Sequence, residues 1–439
     1  MFEAEYARRR TTAEAEAGRI CSGDTVYLAG GPLLPVDFAA ALHRRAAELH
    51  AAWVLNYLPL EALALLTDPA SGDAFQIESI FYNTYQQEAQ RLGRCAFLPN
   101  HLRNAARDWT HGVPEYDCLV LTVSPMDKHG CFSLAGSACI ELEVLPRARR
   151  VVVEVASRAP RIFGDVTLHV SQVDAIVESD RYPAALSPQP PDEVDRQLGR
   201  VVAELVEDGA TIQLGFGGTI NALAAELKDK RGLGIHTEAM SDAAMELLRC
   251  GAADNSRKSL HRGKTVTCFT MGSHALYDFV DDNPTILHKA LSYTNDLSVL
   301  AANRGMTSIN AALQVDLTGQ CASESVGPRQ ISGSGGQVDT AVGAQMAPGG
   351  KSVITLRSTY SAKDPDTGER RLQSRILPVL PEGAVVTLTR RNTHFVATEY
   401  GAVCLRGLTV PQRAKALISI AHPDFRDWLE EEFHRIYRL

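Results

Sequence analysis

Short apolar runs rich in Val, Ile and Leu alternate with helical stretches along this chain, and the pattern starts twice. The run TVYLAG (Thr25–Gly30) precedes a helical stretch from Val36 to His50. AAWVLNYL follows, then DCLVLTVS (Asp117–Ser124), VVVEVA (Val151–Ala156) and DAIVES (Asp174–Ser179). Continuous apolar strands separated by helices predict a parallel sheet covered on both faces. The pattern breaks at SPQPPDEVDRQLGR, where Pro188, Pro190 and Pro191 cluster before a helix starting near Asp192. Pro-rich polar composition with a fresh helix start is a linker signal and puts a domain boundary near residues 183–192.

Beyond the linker the first unit recurs. EDGATIQLGFGGTINALAAEL (Glu207–Leu227) resembles SGDTVYLAGGPLLPVDFAAAL (Ser22–Leu42). At an offset of 186, Gly23 meets Gly209, Thr25 meets Thr211, Leu28 meets Leu214 and Gly31 meets Gly217. Each copy is a turn, a strand, a glycine-rich turn and a helix. The period far exceeds that of a solenoid repeat, so it predicts two domains of one α/β fold, residues 1–187 and 188–439. Further runs follow in SVITL, RILPVL, AVVTLT and HFVATEYG. The last segment, PDFRDWLEEEFHRI, sets Phe425, Trp428, Leu429 and Phe433 at helical spacing, a face expected in the core.

Composition narrows the function. A length of 439 residues suits two or three domains, and 44 Lys+Arg against 52 Asp+Glu leave a net charge of −8. That balance argues against a nucleic-acid groove or an anionic membrane surface as partner. The first twenty residues carry Glu3, Glu5, Glu14 and Glu16 and no apolar core, unlike a signal or transit peptide. No apolar run approaches the roughly 20 residues of a membrane span. Nine cysteines without a CxxC pair read as reduced thiols of a cytoplasmic protein. Thirteen histidines show no HExxH spacing, so no metal is expected.

Three segments carry candidate chemistry. The first is the turn Gln213, Leu214, Gly215, Phe216, Gly217, Gly218, which follows a strand and opens a helix. Glycines allow a close backbone approach, and a helix N-terminus offers N–H groups to phosphate or to an oxyanion. A tight βα turn without a ligand is the plain alternative. About twenty residues on, the strand LGIHTE ends at Glu238. Ligands of open parallel sheets sit beyond the C-terminal ends of the strands, so Glu238 and the glycine turn should face one crevice. A dinucleotide fold also places an acidic residue about 20 positions after its glycines, but its third glycine falls at position 220, where this chain has Ile220. A solvated strand-end glutamate is the remaining reading.

The second segment is the loop Ile331–Asp339, in which Gly335 and Gly336 can expose N–H groups to a developing oxyanion. Gly336 is also expected to use glycine's conformational freedom. The third is Arg357–Asp364 after SVITL, where Ser, Thr and Lys363 could meet phosphate or an amide. A flexible loop and a solvated lysine are the plain alternatives. There is no G-x-S-x-G elbow, and no cysteine stands in a recognisable catalytic context. His236 shares a strand face with Glu238 and reads more simply as a structural histidine.

Several ordered motifs together resemble one family. GIHTEAMSD (Gly234–Asp242), QLGFGGTINA, SINAALQVD (Ser308–Asp316), SGSGGQVD, SRILP (Ser374–Pro378), TEYG (Thr398–Gly401), IAHPDFRDWL and VSPMDKHGCFSL (Val123–Leu134) are similar to the acetyl-CoA hydrolase/transferase family. Within it the chain resembles 4-hydroxybutyrate and butyrate CoA-transferases, nearly end to end. The resemblance implies two similar open, mostly parallel α/β domains of CoA-transferase type with the active site between them. It implies Glu238 as a nucleophile that becomes a glutamyl-CoA thioester, and CoA contacts at Gln213, Leu214, Gly215, Phe216, Gly217, Leu313, Gly336 and Lys363. Asn295 stands near where relatives place an oxyanion-stabilising Asn.

The implied reaction conserves thioester energy without ATP. Glu238 would attack the acyl-CoA carbonyl, CoA thiolate would attack the glutamyl carbonyl, and a second carboxylate would reverse these steps. CoA enters as substrate, with no tightly bound cofactor, and the partners are acyl-CoA and small carboxylates. Relatives suggest a homodimer or higher homo-oligomer. The donor would be of acetyl-CoA or succinyl-CoA type and the acceptor butyrate- or 4-hydroxybutyrate-like. A dicarboxylate such as itaconate or succinate would need a second cation, for which Arg329 is a candidate. Relatives carry Pro, Met and Gly where Ile220, Ala239 and Ala243 stand, and Tyr or Phe at Thr340. Ala239 and Thr340 therefore bear on the acyl pocket. Acyl-CoA hydrolysis by the same residues and a nucleotide-binding oxidoreductase are the competing functions.

Overall fold

A computed structural model describes residues 2–187, 190–363 and 368–438. Pro188 of the expected linker and Asp364 beyond Lys363 lie outside them. The chain divides into two compact units: Met1–Ser187 with Glu238–Ser241 and Thr265–Thr294, and Pro188–Thr237 with Asp242–Lys264 and Asn295–Leu439. The first break in the chain between units falls in the Pro-rich segment. The strand Gly234–Met240 passes from one unit to the other between Thr237 and Glu238.

The first unit is built on an eight-stranded parallel sheet in the order Arg10–Thr11, Ala175–Ser179, Val151–Ala156, Cys118–Val123, Thr25–Leu28, Ala52–Leu55, Phe75–Ser79, Cys95–Phe97. Every residue of Cys118–Val123 and Val151–Ala156 is buried, which is why these runs do not alternate with polar residues. Val26, Leu28, Phe38, Leu42, Val54, Phe75, Val120 and Val152 form its core. The chain reaches Ala52–Leu55 on one side of Thr25–Leu28 and Cys118–Val123 on the other, so Leu28 ends at the topological switch point. The helix after it is Val36–His43, shorter than the stretch to His50 that the sequence suggested.

The second unit repeats this arrangement. Thr211–Gln213 pairs in parallel with Gly234–Met240 on one side and Met306–Ala311 on the other, and the sheet continues through Lys351–Thr355 and Phe395–Thr398. Gly401–Cys404 is antiparallel, closing a hairpin on Phe395–Thr398. The offset of 186 residues therefore matches two central strands, each followed by a turn with a left-handed glycine, Gly31 at φ 55° and Gly217 at φ 107°. Asp192 caps the helix Glu193–Ala203 as expected.

Two expectations fail locally. AVVTLT forms no strand: Val385 and Val386 are exposed, and only Leu388 bridges to Cys321. In the final helix, Arg426–Tyr437, Leu429 and Phe433 are buried in the core, but Trp428 is 40% exposed. No helix among the described residues is long and apolar enough to cross a membrane.

Candidate active site

Glu238 occupies the fifth position of the strand Gly234–Met240, which runs two residues further than the sequence suggested. It is the one half-buried residue in an otherwise buried strand. Its backbone is fixed within the first unit: the Thr267 hydroxyl donates to the Glu238 carbonyl at 3.2 Å, and the Met271 N–H donates to the Met240 carbonyl at 3.0 Å. Cys268, next to Thr267, is buried, and its Sγ lies 3.2 Å from that of Cys139. Burial pushes the Cys268 thiol well above its ordinary range, and the charge of Glu238 adds to the effect. That shift holds the thiol in its protonated form. All nine cysteines are free.

In the second unit the glycine turn leaves the strand Thr211–Gln213 at the switch point, where open α/β sheets bind ligands. Leu214 is locked by Thr237: the Leu214 N–H donates to the Thr237 hydroxyl at 3.2 Å, and that hydroxyl donates to the Leu214 carbonyl at 2.9 Å. Thr237 directly precedes Glu238, so one strand fixes the turn and carries the carboxylate. Phe216 is 42% exposed. A Cβ on Gly215 or on Gly217 would meet nothing within 4 Å. Of the two, Gly217 is the one that needs glycine, because it enters the helix Gly218–Glu226 at φ 107°.

The N-terminus of that helix faces a carboxylate. A Cβ on Gly218 would lie 2.3 Å from Asp195 Oδ2, and the Thr219 hydroxyl donates to Asp195 at 2.7 Å. Arg357 completes the cluster with ion pairs to Asp195 at 2.8 Å and Asp192 at 2.9 Å. A carboxylate beside a helix N-terminus disfavours a pyrophosphate there, and Ile220 is buried where the third glycine would stand. Both features oppose the oxidoreductase reading.

A polar chain links the turn to the second glycine loop. Gln213 Oε1 accepts from the Ile309 N–H at 3.1 Å and from Asn310 Nδ2 at 3.2 Å. Asn310 Nδ2 also donates to Thr340 Oγ1 at 3.0 Å, and the Thr340 hydroxyl donates to the Gly336 carbonyl at 2.9 Å. The hydroxyl of Thr340 is thus engaged inside the unit. Asn310 was not among the expected site residues, although it lies in a motif that carried the resemblance; Thr340, expected at the acyl pocket, directly follows another. Gly336 caps the helix Gln337–Met346 at φ −85°, an ordinary conformation. The left-handed residue is its neighbour Gly335, at φ 55°. The expectation for Gly336 is therefore corrected: glycine's freedom is needed one residue earlier.

Comparison with known proteins is decisive here. The N-terminal domain of acetyl-CoA hydrolase/transferase matches residues 2–188, and the C-terminal domain of the same family matches residues 272–433. The chain belongs to the acetyl-CoA hydrolase/transferase family. Members similar to it include the succinyl-CoA:cyclohexane-1-carboxylate CoA transferase of Geobacter metallireducens, 39% identical over 100% of this chain and 98% of that protein. The 4-hydroxybutyrate coenzyme A transferase of Clostridium kluyveri is 36% identical over 99% of each. Among solved structures, RipA from Yersinia pestis has a TM-score of 0.92 at 33% identity, covering 100% of both chains.

The other expected residues of this family member lie on further elements of the second unit. Asn295 is fully buried, between the short helices Leu291–Thr294 and Leu297–Ala301. Leu313 is half-buried, and its carbonyl accepts from Arg375 Nη1 at 2.9 Å. Arg375 stacks over the Tyr360 ring at 4.9 Å, and its burial lowers the guanidinium pKa. Lys363 is exposed at the end of the strand Thr359–Lys363, opposite Arg370. Arg329 is exposed on the hairpin Ser325–Gln330. Among the described residues no group of three or more His, Cys, Asp or Glu side chains is placed to hold a metal ion.

Proposed function

We propose that this enzyme transfers CoA from an acyl-CoA of acetyl-CoA or succinyl-CoA type to a short-chain carboxylate, by ping-pong chemistry through a glutamyl-CoA thioester on Glu238. The observation that carries the reading is a half-buried carboxylate near the end of the strand that locks the switch-point turn. Full-length similarity to proteins named as CoA transferases supports it.

Each step follows from a residue type. Glu238 attacks the acyl-CoA carbonyl and gives a mixed anhydride and free CoA thiolate. The thiolate attacks the glutamyl carbonyl, releasing the donor acid and leaving CoA on the enzyme. The second acid then takes the CoA by the reverse sequence. Each tetrahedral intermediate bears an oxyanion, for which Asn295 and the N–H groups around Gly335 serve as donors. Removing one such donor costs roughly 3–4 kcal/mol in comparable sites. Gln213, Leu214, Gly215, Phe216, Gly217, Leu313, Gly336 and Lys363 hold CoA. Residues 1–187 and 188–439 act as the two domains of a cytoplasmic homodimer or higher homo-oligomer that needs no tightly bound cofactor.

Water as acceptor is the second reading, favoured by a 23% identity to the acetyl-CoA hydrolase of Kluyveromyces lactis over 78% of this chain. An acceptor screen separates the two. With acetyl-CoA or succinyl-CoA as donor, transfer predicts thioester exchange that depends on butyrate, 4-hydroxybutyrate or a dicarboxylate and gives parallel double-reciprocal lines. CoA release at the same rate without any acceptor contradicts it.

A further inference from the structure

At the N-terminal ends of the second unit's strands, opposite the glycine turn, lies a hollow of about 400 Å³. The segments leading into Thr211–Gln213, Met306–Ala311 and Lys351–Thr355 form its wall, and its charged lining is Glu207, Asp208, Arg257, Arg304 and Lys351. Glu207 pairs with Lys351 at 2.7 Å and Asp208 accepts from the Arg231 backbone N–H at 2.9 Å, so the lining sets three cations against two carboxylates. Arg257 and Arg304 are exposed and form no ion pair among the described residues. The charge of Asp254 reaches Arg257, but no carboxylate closes on it.

The backbone makes room for Arg257. Gly209 and Gly232 are both left-handed, at φ 79° and φ 67°. A Cβ on Gly209 would lie 2.8 Å from Arg257 Cδ, and one on Gly232 would lie 2.8 Å from Arg257 Nε. Two positive-φ glycines thus cradle one guanidinium that serves neither the core nor an ion pair. In a chain of net charge −8, two unpaired guanidinium groups at one hollow are a local reversal of sign. Guanidinium forks suit phosphate oxygens, which they bind in pairs.

We propose that this hollow binds a diphosphate group, with Arg257 and Arg304 as its ligands. The phosphate would come from free pyrophosphate or from the phosphates of a nucleotide. The site is separate from the CoA turn.

Isothermal titration of the full-length protein with inorganic pyrophosphate, in the presence of saturating CoA, tests it. Saturable binding is expected, with affinity at least tenfold weaker in the Arg257→Gln/Arg304→Gln variant and partly retained in Arg257→Lys/Arg304→Lys. Circular dichroism checks that both variants are folded. A parallel titration with ADP assigns the source: tighter than pyrophosphate and equally sensitive to the Gln variant for a nucleotide, weaker for the free anion. No saturable binding, binding displaced by CoA, or binding unchanged in the Gln variant would overturn the proposal.

Discussion

Glu238 has the properties that a covalent carboxylate needs: partial exposure, and a backbone held by Thr267 while the preceding Thr237 is held to Leu214. Replacing Glu238 by Ala should abolish transfer while thermal unfolding stays close to wild type, because the side chain contributes little to the core. A folded variant with more than a small fraction of wild-type transfer would remove Glu238 from the nucleophile's role. The two glycines of the second loop should separate. Gly335→Ala forces a side chain into the left-handed region and should lower stability by about 1–2 kcal/mol in urea unfolding. Gly336→Val, at φ −85°, adds no left-handed strain and should raise the KM for acyl-CoA. Equal stability losses in both would break this assignment. The sequence singled out Glu238 and both glycines as candidates, but not which glycine is left-handed, since GG contains no signal of its own φ.

At the scale of elements, the strand Gly234–Met240 is held at its start by a buried lysine. Lys258 Nζ donates to the Ile235 carbonyl at 2.8 Å and to the Lys264 carbonyl at 2.8 Å, and its stem leaves no room for a Cβ at Gly234. Burial lowers its pKa to about 7. The unfolded chain keeps the ordinary lysine value of about 10.4. Between these values the unfolded state binds more protons than the folded one, so this group makes stability rise with pH, by up to about 1.4 kcal/mol per pH unit. Urea unfolding from pH 7 to 10 should show that rise relative to Lys258→Met, in which it is absent. Identical pH profiles would mean that Lys258 is not buried in a neutral form. Nothing in SRKSLHRGK marks which cation is buried, because the burial depends on Gly234, more than twenty residues away. The failure of AVVTLT has a similar cause: an apolar run reads as a strand, but Val385 and Val386 find no sheet edge to join and stay at the surface.

At the scale of the molecule, the duplication was readable because it repeats a topology as well as a composition. Both copies place a strand at the switch point, and both follow it with a left-handed glycine. What could not be read is packing between distant segments. Glu238–Ser241 and Thr265–Thr294 cluster with the first unit although they lie in the second half of the chain. The cluster of Asp195 with Arg357 likewise joins residues more than 150 positions apart, and it decided the case against a dinucleotide at the glycine turn. The central claim, that CoA is carried covalently by Glu238, is tested most directly by mass spectrometry of the peptide containing Gly234–Asp242. Enzyme incubated with acyl-CoA alone and then treated with hydroxylamine should carry a hydroxamate on Glu238, with activity lost in proportion. An unmodified Glu238, together with intersecting double-reciprocal lines, would contradict the covalent mechanism.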